Sequence, residues 1–234
     1  PGTMGPTGRP LPDFPEPAPL ASHGPARIIA MCNQKGGVGK TTTTINLGAA
    51  LAEVGRRVLL VPFAPQGALS FRFAIPPHAR YVTIYHLLTA RGHEGRAVIA
   101  HTKVEGLDVL PANIDLSAAE VQLVGEVARE QILARVLRPV IDEYDVILID
   151  CQPSLGLLTV NALACSDGVI IPMECEYFSL RGLALLNDTV EKVRDRLNPR
   201  LSLYGIVVTM FDARLLHSRQ VMSRVVEVFG DLVY

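Results

Sequence analysis

The stretch CNQKGGVGKTTTTINLGAAL, residues 32–51, constrains this chain more than any other part of it. It joins an apolar run, RIIAMC, to a helix whose Ala, Leu and Ile recur on one face. Between the two stand Lys35, Gly36, Gly37, Val38, Gly39, Lys40, Thr41 and Thr42. Glycine adopts backbone conformations closed to other residues and presents no side chain, so successive N–H groups can turn toward phosphate oxygens. The helix aims its unpaired N-terminal amides at the same place. Lys40 then supplies a positive charge for the β- and γ-phosphates, Thr41 a hydroxyl for Mg2+, and Thr42 a further phosphate contact. A glycine turn without a ligand would give Lys40 and Thr41 no shared reason to follow it.

The rest of the chain alternates strands with helices. RRVLLV follows the helix stop at Gly55 after a very short turn, which argues for parallel neighbours in one sheet. GLDVLPA reads as a strand after a variable stretch at 68–106. A helix is then expected from Ser117, with Glu120 at capping-box spacing, past Leu137 to about Pro139. YDVILID, DGVIIPM and SLYGIVVTM are continuous apolar runs of the kind covered by helices on both faces. Helices are expected at 180–197 and 218–229, with GDLVY a strand-like end. The pattern predicts an α/β fold: an open, mostly parallel sheet flanked by helices, with ligands at the carboxyl ends of the strands.

At 234 residues and 49% hydrophobic, the chain suits one domain. Residues 1–25 hold eight of the 17 prolines and read as a flexible arm, with the domain expected over 26–234 and lacking its C-terminal end. The net charge of -1 gives no general attraction for polyanions. Four scattered cysteines without a C-x-x-C pair lead to the expectation of a reduced, cytoplasmic setting, and no apolar run is long enough to span a bilayer. Neither a G-x-S-x-G nucleophile nor a His/Cys/carboxylate cluster at metal-site spacing is present.

Asp150 ends the strongest strand, where a carboxylate emerging beside a phosphate loop is suited to hold Mg2+ directly or through water. Lys40 and Asp150 are therefore candidate catalytic residues, and Thr41 and Asp150 the candidate metal ligands.

The form K-G-G-V-G-K-T-T, with Gln34 where the ordinary P-loop has glycine, resembles the deviant phosphate loop of the ParA/MinD ATPases. DCQPSLGLLTVNAL, NIDLSAAE, ECEYFSLRGLALL and VVTMFDARLLHSRQVM resemble the ParA/Soj chromosome and plasmid partitioning branch. That resemblance implies ATP and Mg2+ as cofactors and a homodimer with ATP sandwiched between subunits. It also implies that Lys35 is the signature lysine reaching the partner's phosphates and, with Lys40 and Asp150, a candidate catalytic residue. It further implies nonspecific DNA binding, a ParB-like centromere-binding protein that stimulates hydrolysis, and a nucleoid-associated protein with no membrane attachment. Thr209 or Met210 is implied to line the adenine pocket, with packing at the strand end the alternative for Met210.

Two features loosen the resemblance. Where the family has D-x-D-P-Q, this chain has Pro62, Phe63, Ala64, Pro65 and Gln66. Neither proline nor alanine accepts a proton or holds a metal-bound water, so slow hydrolysis is expected, with Gln66 a candidate for positioning water or for a switch loop. Arg214, Arg219 and Arg224 are the candidate DNA contacts, yet their spacing of five makes no single stripe, and solvated surface is the alternative. A nonhydrolysing ATP-binding structural or regulatory protein and a MinD-like membrane-associated switch are the competing readings.

Overall fold

A computed structural model of the chain describes residues 4–10, 15–65, 82–89 and 95–234. The first strand, β1 (Arg27–Met31), leads through the glycine loop into α1 (Lys40–Glu53) and β2 (Val58–Phe63). Two short helices, α2 (Ile84–Thr89) and α3 (Gly95–Val98), precede β3 (Ala100–His101), β4 (Leu107–Val109), α4 (Leu116–Leu123) and α5 (Ile132–Leu137). Then come β5 (Val146–Cys151), α6 (Leu157–Cys165), β6 (Gly168–Glu174), α7 (Ser179–Arg196), β7 (Ser202–Thr209) and α8 (Leu216–Phe229).

The strands form one sheet in the order β3-β4-β2-β5-β1-β6-β7, parallel throughout except for β3 against β4. The first crossover carries the chain over β5 to β2, while β6 and β7 lie on the other side of β1. That reversal of order opens a crevice at the carboxyl ends of the strands beside β1. The expected open α/β sheet is what forms.

Strand parity decides which face each side chain meets. Val58 and Leu60 of β2 and Leu148 of β5 pack on the face covered by α1, whereas Leu59, Val61, Phe63, Ile147 and Ile149 join the larger core on the other face. Continuing the count sends Pro62 and Asp150 to the α1 face, and these two are register partners across β2 and β5. Gly48 lets α1 sit close to that face: a Cβ there would lie 2.8 Å from Leu60 Cδ2.

The single helix expected from Ser117 to Pro139 is instead broken into α4, a 3-10 turn, α5 and a second 3-10 stretch over Arg138–Glu143. Gly125 and three β-branched valines weaken helical continuity, and Ala128 takes a left-handed φ of 54° that reverses the chain. Asn161 on α6 supplies bonds in place of an unbroken helix, accepting from Leu133 N and donating to Arg129 O. The capping box is also not made. α4 begins at Leu116, so Ser117 is already inside it and its hydroxyl donates back to Ile114 O. Glu120 instead accepts from Gln152 Nε2 and Leu158 N.

Helix α6 carried no periodic signal because it is apolar nearly all round and buried on most sides. At the other end of the chain, Val233 forms a single parallel bridge to Ile206 of β7 after a 3-10 turn at Gly230–Leu232. Arg9, from the proline-rich segment, pairs with Asp231 and donates to Val233 O. No described helix is long and apolar enough to cross a membrane.

Candidate functional site

The glycine loop emerges from β1 and is fastened on two sides. Asn33 accepts from Lys35 N through Oδ1 and donates through Nδ2 to Pro172 O on β6. Across the loop, the Thr209 hydroxyl at the end of β7 lies within hydrogen-bond reach of Val38 O (3.0 Å) and Met173 O (3.1 Å). Gly37 and Gly39 take φ values of 80° and 84°, whereas Gly36 does not need positive φ. A Cβ on Gly39 would also sit 3.3 Å from Thr209 Cγ2, so the position is closed to larger residues twice over. No side chain caps the start of α1.

Two functional groups meet just inside that start. The buried ammonium of Lys40 donates to Lys35 O at 2.9 Å, closing the loop on itself. Burial lowers its pKa, against the raising influence of Asp150. Thr41 Oγ1 donates to Asp150 Oδ2 at 2.6 Å. Asp150 is buried, which pushes its carboxyl up to about 6 despite the Thr41 hydrogen bond and the Lys40 charge.

The second oxygen, Asp150 Oδ1, is buried without a hydrogen-bond partner. An acceptor left so costs about 1–3 kcal/mol, more when charged. A hard divalent cation with oxygen ligands fits this pair of a carboxylate oxygen and a neighbouring hydroxyl. Both residues line a cleft of about 240 Å3 with Gly36, Gly37, Thr42 and Pro62.

Pro62 and Ala64 border the same cleft. The strand tolerates proline for a structural reason. Leu60 O accepts from Leu110 N on the β4 side and Phe63 O accepts from Gln152 N on the β5 side. By alternation the amide of residue 62 would face β4, so proline ends the β2–β4 ladder after Leu60 O while the pairing of β2 with β5 continues through Phe63. Among the described residues lining the cleft, Asp150 is the single carboxylate. Gln66 lies outside the described residues.

Lys35 points elsewhere. Its ammonium bonds Glu174 (2.8 Å) and Glu176 (2.5 Å), and those two hydrogen bonds raise its pKa. Sequence reasoning missed these carboxylates, although β6 adjoins β1 and its end must therefore lie near the loop. It also missed the Thr209 brace. Met210, mostly exposed with a left-handed φ of 51°, follows immediately.

The three arginines are not brought together. Arg214 is held by both oxygens of Asp212, and Arg224 pairs with Glu227. Arg219 and Arg224 stand about 140° apart around α8 at 100° per residue, on opposite flanks of the buried stripe of Val221, Met222 and Val225. Arg219 is exposed. Cys32 and Cys151, whose Sγ atoms are 3.2 Å apart beneath the site, are both buried, and the Cys151 thiol is held well above its ordinary pKa by the Cys32 contact and by burial.

Comparison with known proteins agrees with this geometry. A family model described as an AAA domain matches residues 26–203. An uncharacterized protein of Mycobacterium tuberculosis is 64% identical over 231 residues, spanning 99% of this chain and 73% of its own length. The chromosome-partitioning ATPase Soj of Treponema pallidum is 49% identical over 208 residues, or 89% of this chain and 81% of the relative. Among solved structures, a cobyrinic acid a,c-diamide synthase from Mycobacterium smegmatis with bound ATP analog and magnesium superposes with a TM-score of 0.82. It is 42% identical and covers 88% of this chain and 83% of that one.

Proposed function

Because this chain belongs to the ParA/Soj/MinD-type family of P-loop ATPases, we propose that it is a switch in chromosome or plasmid partitioning. In that reading, ATP and Mg2+ drive the pairing of two subunits, and the pair binds DNA without sequence preference. The observation that carries the nucleotide site is the meeting of Lys40, Thr41 and the partnerless Asp150 Oδ1 at the mouth of α1.

The chain's own groups divide the work. Loop amides and the α1 N-terminus take the phosphate oxygens, and Lys40 exchanges its bond to Lys35 O for one to phosphate. Thr41 and Asp150 would hold the cation, which when bound would supply positive charge against the phosphates. Neither Pro62 nor Ala64 can orient an attacking water, so binding outlasts hydrolysis and the switch resets slowly. Lys35 leaves Glu174 and Glu176 to meet the partner's phosphates. The reading further takes the protein to be cytoplasmic and nucleoid-associated, with a ParB-like protein as its release factor. DNA contact by Arg214, Arg219 and Arg224 requires the first and last to leave their acidic partners, and pairing supplies the second copy of an otherwise divided surface.

The test combines light scattering with DNA titration at two salt concentrations. With ATP and Mg2+ the chain should become dimeric and bind DNA in a salt-sensitive way, and Lys35→Ala should lose both properties while still binding ATP. Tight DNA binding by a monomeric Lys35→Ala variant would contradict the sandwich. ATP turnover stimulated by cobyrinic acid and indifferent to DNA would move the chain to the synthase's chemistry.

A further inference from the structure

The outer surface of α4 and the turn after it is apolar where the fold does not require it. Ile114, Val121, Val124 and Val127 are 68%, 77%, 58% and 88% exposed, while Leu116, Ala119 and Leu123 bury the opposite side of the same helix. Ile114 and Val121 are seven residues apart and Val124 a further three, which places them on one helical face. The backbone bonds Ser117 N to Ile114 O and Val124 N to Val121 O extend the helical winding at both ends. Exposed valines contribute neither burial nor helix propensity, so the folding of this chain does not account for them. Contiguous exposed apolar residues with a polar rim are the mark of an interaction surface.

The rim selects the partner. Over residues 113–130 the chain carries Asp115, Glu120, Glu126 and Glu130 against a single cation, Arg129. Arg129 is already paired with Glu130 and donates to Val124 O. Glu120 is turned inward to Gln152 and Leu158, leaving Asp115 and Glu126 exposed at the border of the apolar face. Phosphates of DNA or of an anionic membrane would be repelled by that border. A second copy meeting this face with its own α4 would bring the same carboxylates against themselves.

We propose that Ile114, Val121 and Val124 form a docking surface for a basic amphipathic helix of another protein, whose apolar stripe covers them while its lysines or arginines reach Asp115 and Glu126. This surface is separate from the nucleotide cleft and does not depend on ATP-driven pairing.

The probe is a synthetic helical peptide with leucine at i, i+3, i+4 and i+7 spacing and lysine elsewhere. It is compared with a glutamate-for-lysine counterpart and with a shuffled peptide of the same composition. Binding is measured by fluorescence anisotropy, and the contact region by hydrogen exchange. The lysine peptide should bind one site per chain, slow exchange across 114–127, and weaken as salt rises. Both control peptides should bind at least about tenfold more weakly. Val121→Ser/Val124→Ser and Asp115→Lys/Glu126→Lys should each reduce affinity by a similar factor. All four positions are exposed, and far-ultraviolet circular dichroism checks that the fold is kept. Unchanged affinity in either variant, preference for the glutamate peptide, or protection elsewhere would overturn the proposal. So would concentration-dependent self-association abolished by the serine variant, which would assign the face to a second copy.

Discussion

Two neighbouring strand ends, those of β2 and β5, occupy the same geometric role and carry opposite chemistry. Pro62 and Asp150 are register partners, share the α1 face by strand parity, and border one cleft. At β5 the carboxylate remains, bonded to Thr41 and with one oxygen free. At β2 proline and alanine stand at the corresponding end, and the pairing with β5 nevertheless continues through Phe63. On the proposed reading, the difference makes holding a nucleotide and activating water separable demands on adjacent strands.

The largest effect should come from making the two ends alike. Pro62→Asp/Ala64→Asp is expected to raise phosphate release by about 10²- to 10⁴-fold, the range of a positioned acid–base group, with ATP affinity changed far less. Equal turnover before and after would mean that another residue already activates water. Next, Lys40→Ala removes a charge-assisted bond to phosphate, typically about 1.5–3 kcal/mol. Calorimetric titration should therefore find ATP affinity reduced by about 10- to 100-fold, and an unchanged value would take Lys40 out of the site.

The retained carboxylate can be tested by its protonation. With its carboxyl raised from 3.8 to about 6, native Asp150 holds a proton that the unfolded chain releases. Stability without nucleotide or metal therefore falls as pH rises from roughly 4 to 6. Asp150→Asn should remove that fall and stabilise the free protein at neutral pH by up to about 3 kcal/mol, while losing the stabilisation that Mg2+ with ATP gives the unsubstituted chain. Thermal unfolding across pH, with and without both ligands, measures each part. The smallest effects concern the α1 seat that both strand ends share. Gly48→Val should cost about 1–3 kcal/mol by overpacking against Leu60, whereas Gly48→Ala should be nearly neutral, since about 1 kcal/mol of helix propensity opposes a smaller clash. Urea unfolding separates the two.

Most of the sheet was legible because its strands are continuous apolar runs punctuated by glycine and proline. The meeting of Lys40 and Thr41 at the loop was legible because they are contiguous with the glycines, and the place of Asp150 because it ends the most apolar strand. Other features depend on sheet order, which local sequence does not carry: Glu174 and Glu176 reach Lys35 from 139 and 141 residues away, and Thr209 braces Val38 across 171. The helix expected through Pro139 failed for a related reason, since Asn161 supplies from α6 the bonds that end it. Helix α6 itself gave no periodicity to read.

The most direct measurement follows the fate of bound nucleotide in the unsubstituted chain. The protein is loaded with ATP and Mg2+, freed of excess, and its bound nucleotide is identified over time alongside released phosphate. The account predicts one nucleotide per chain, recovered as ATP long after the Pro62→Asp/Ala64→Asp variant has converted its own to ADP. Failure to retain ATP at all, or conversion as fast as in the restored variant, would contradict the claim that this chain keeps the binding half of the site and has lost the hydrolytic half.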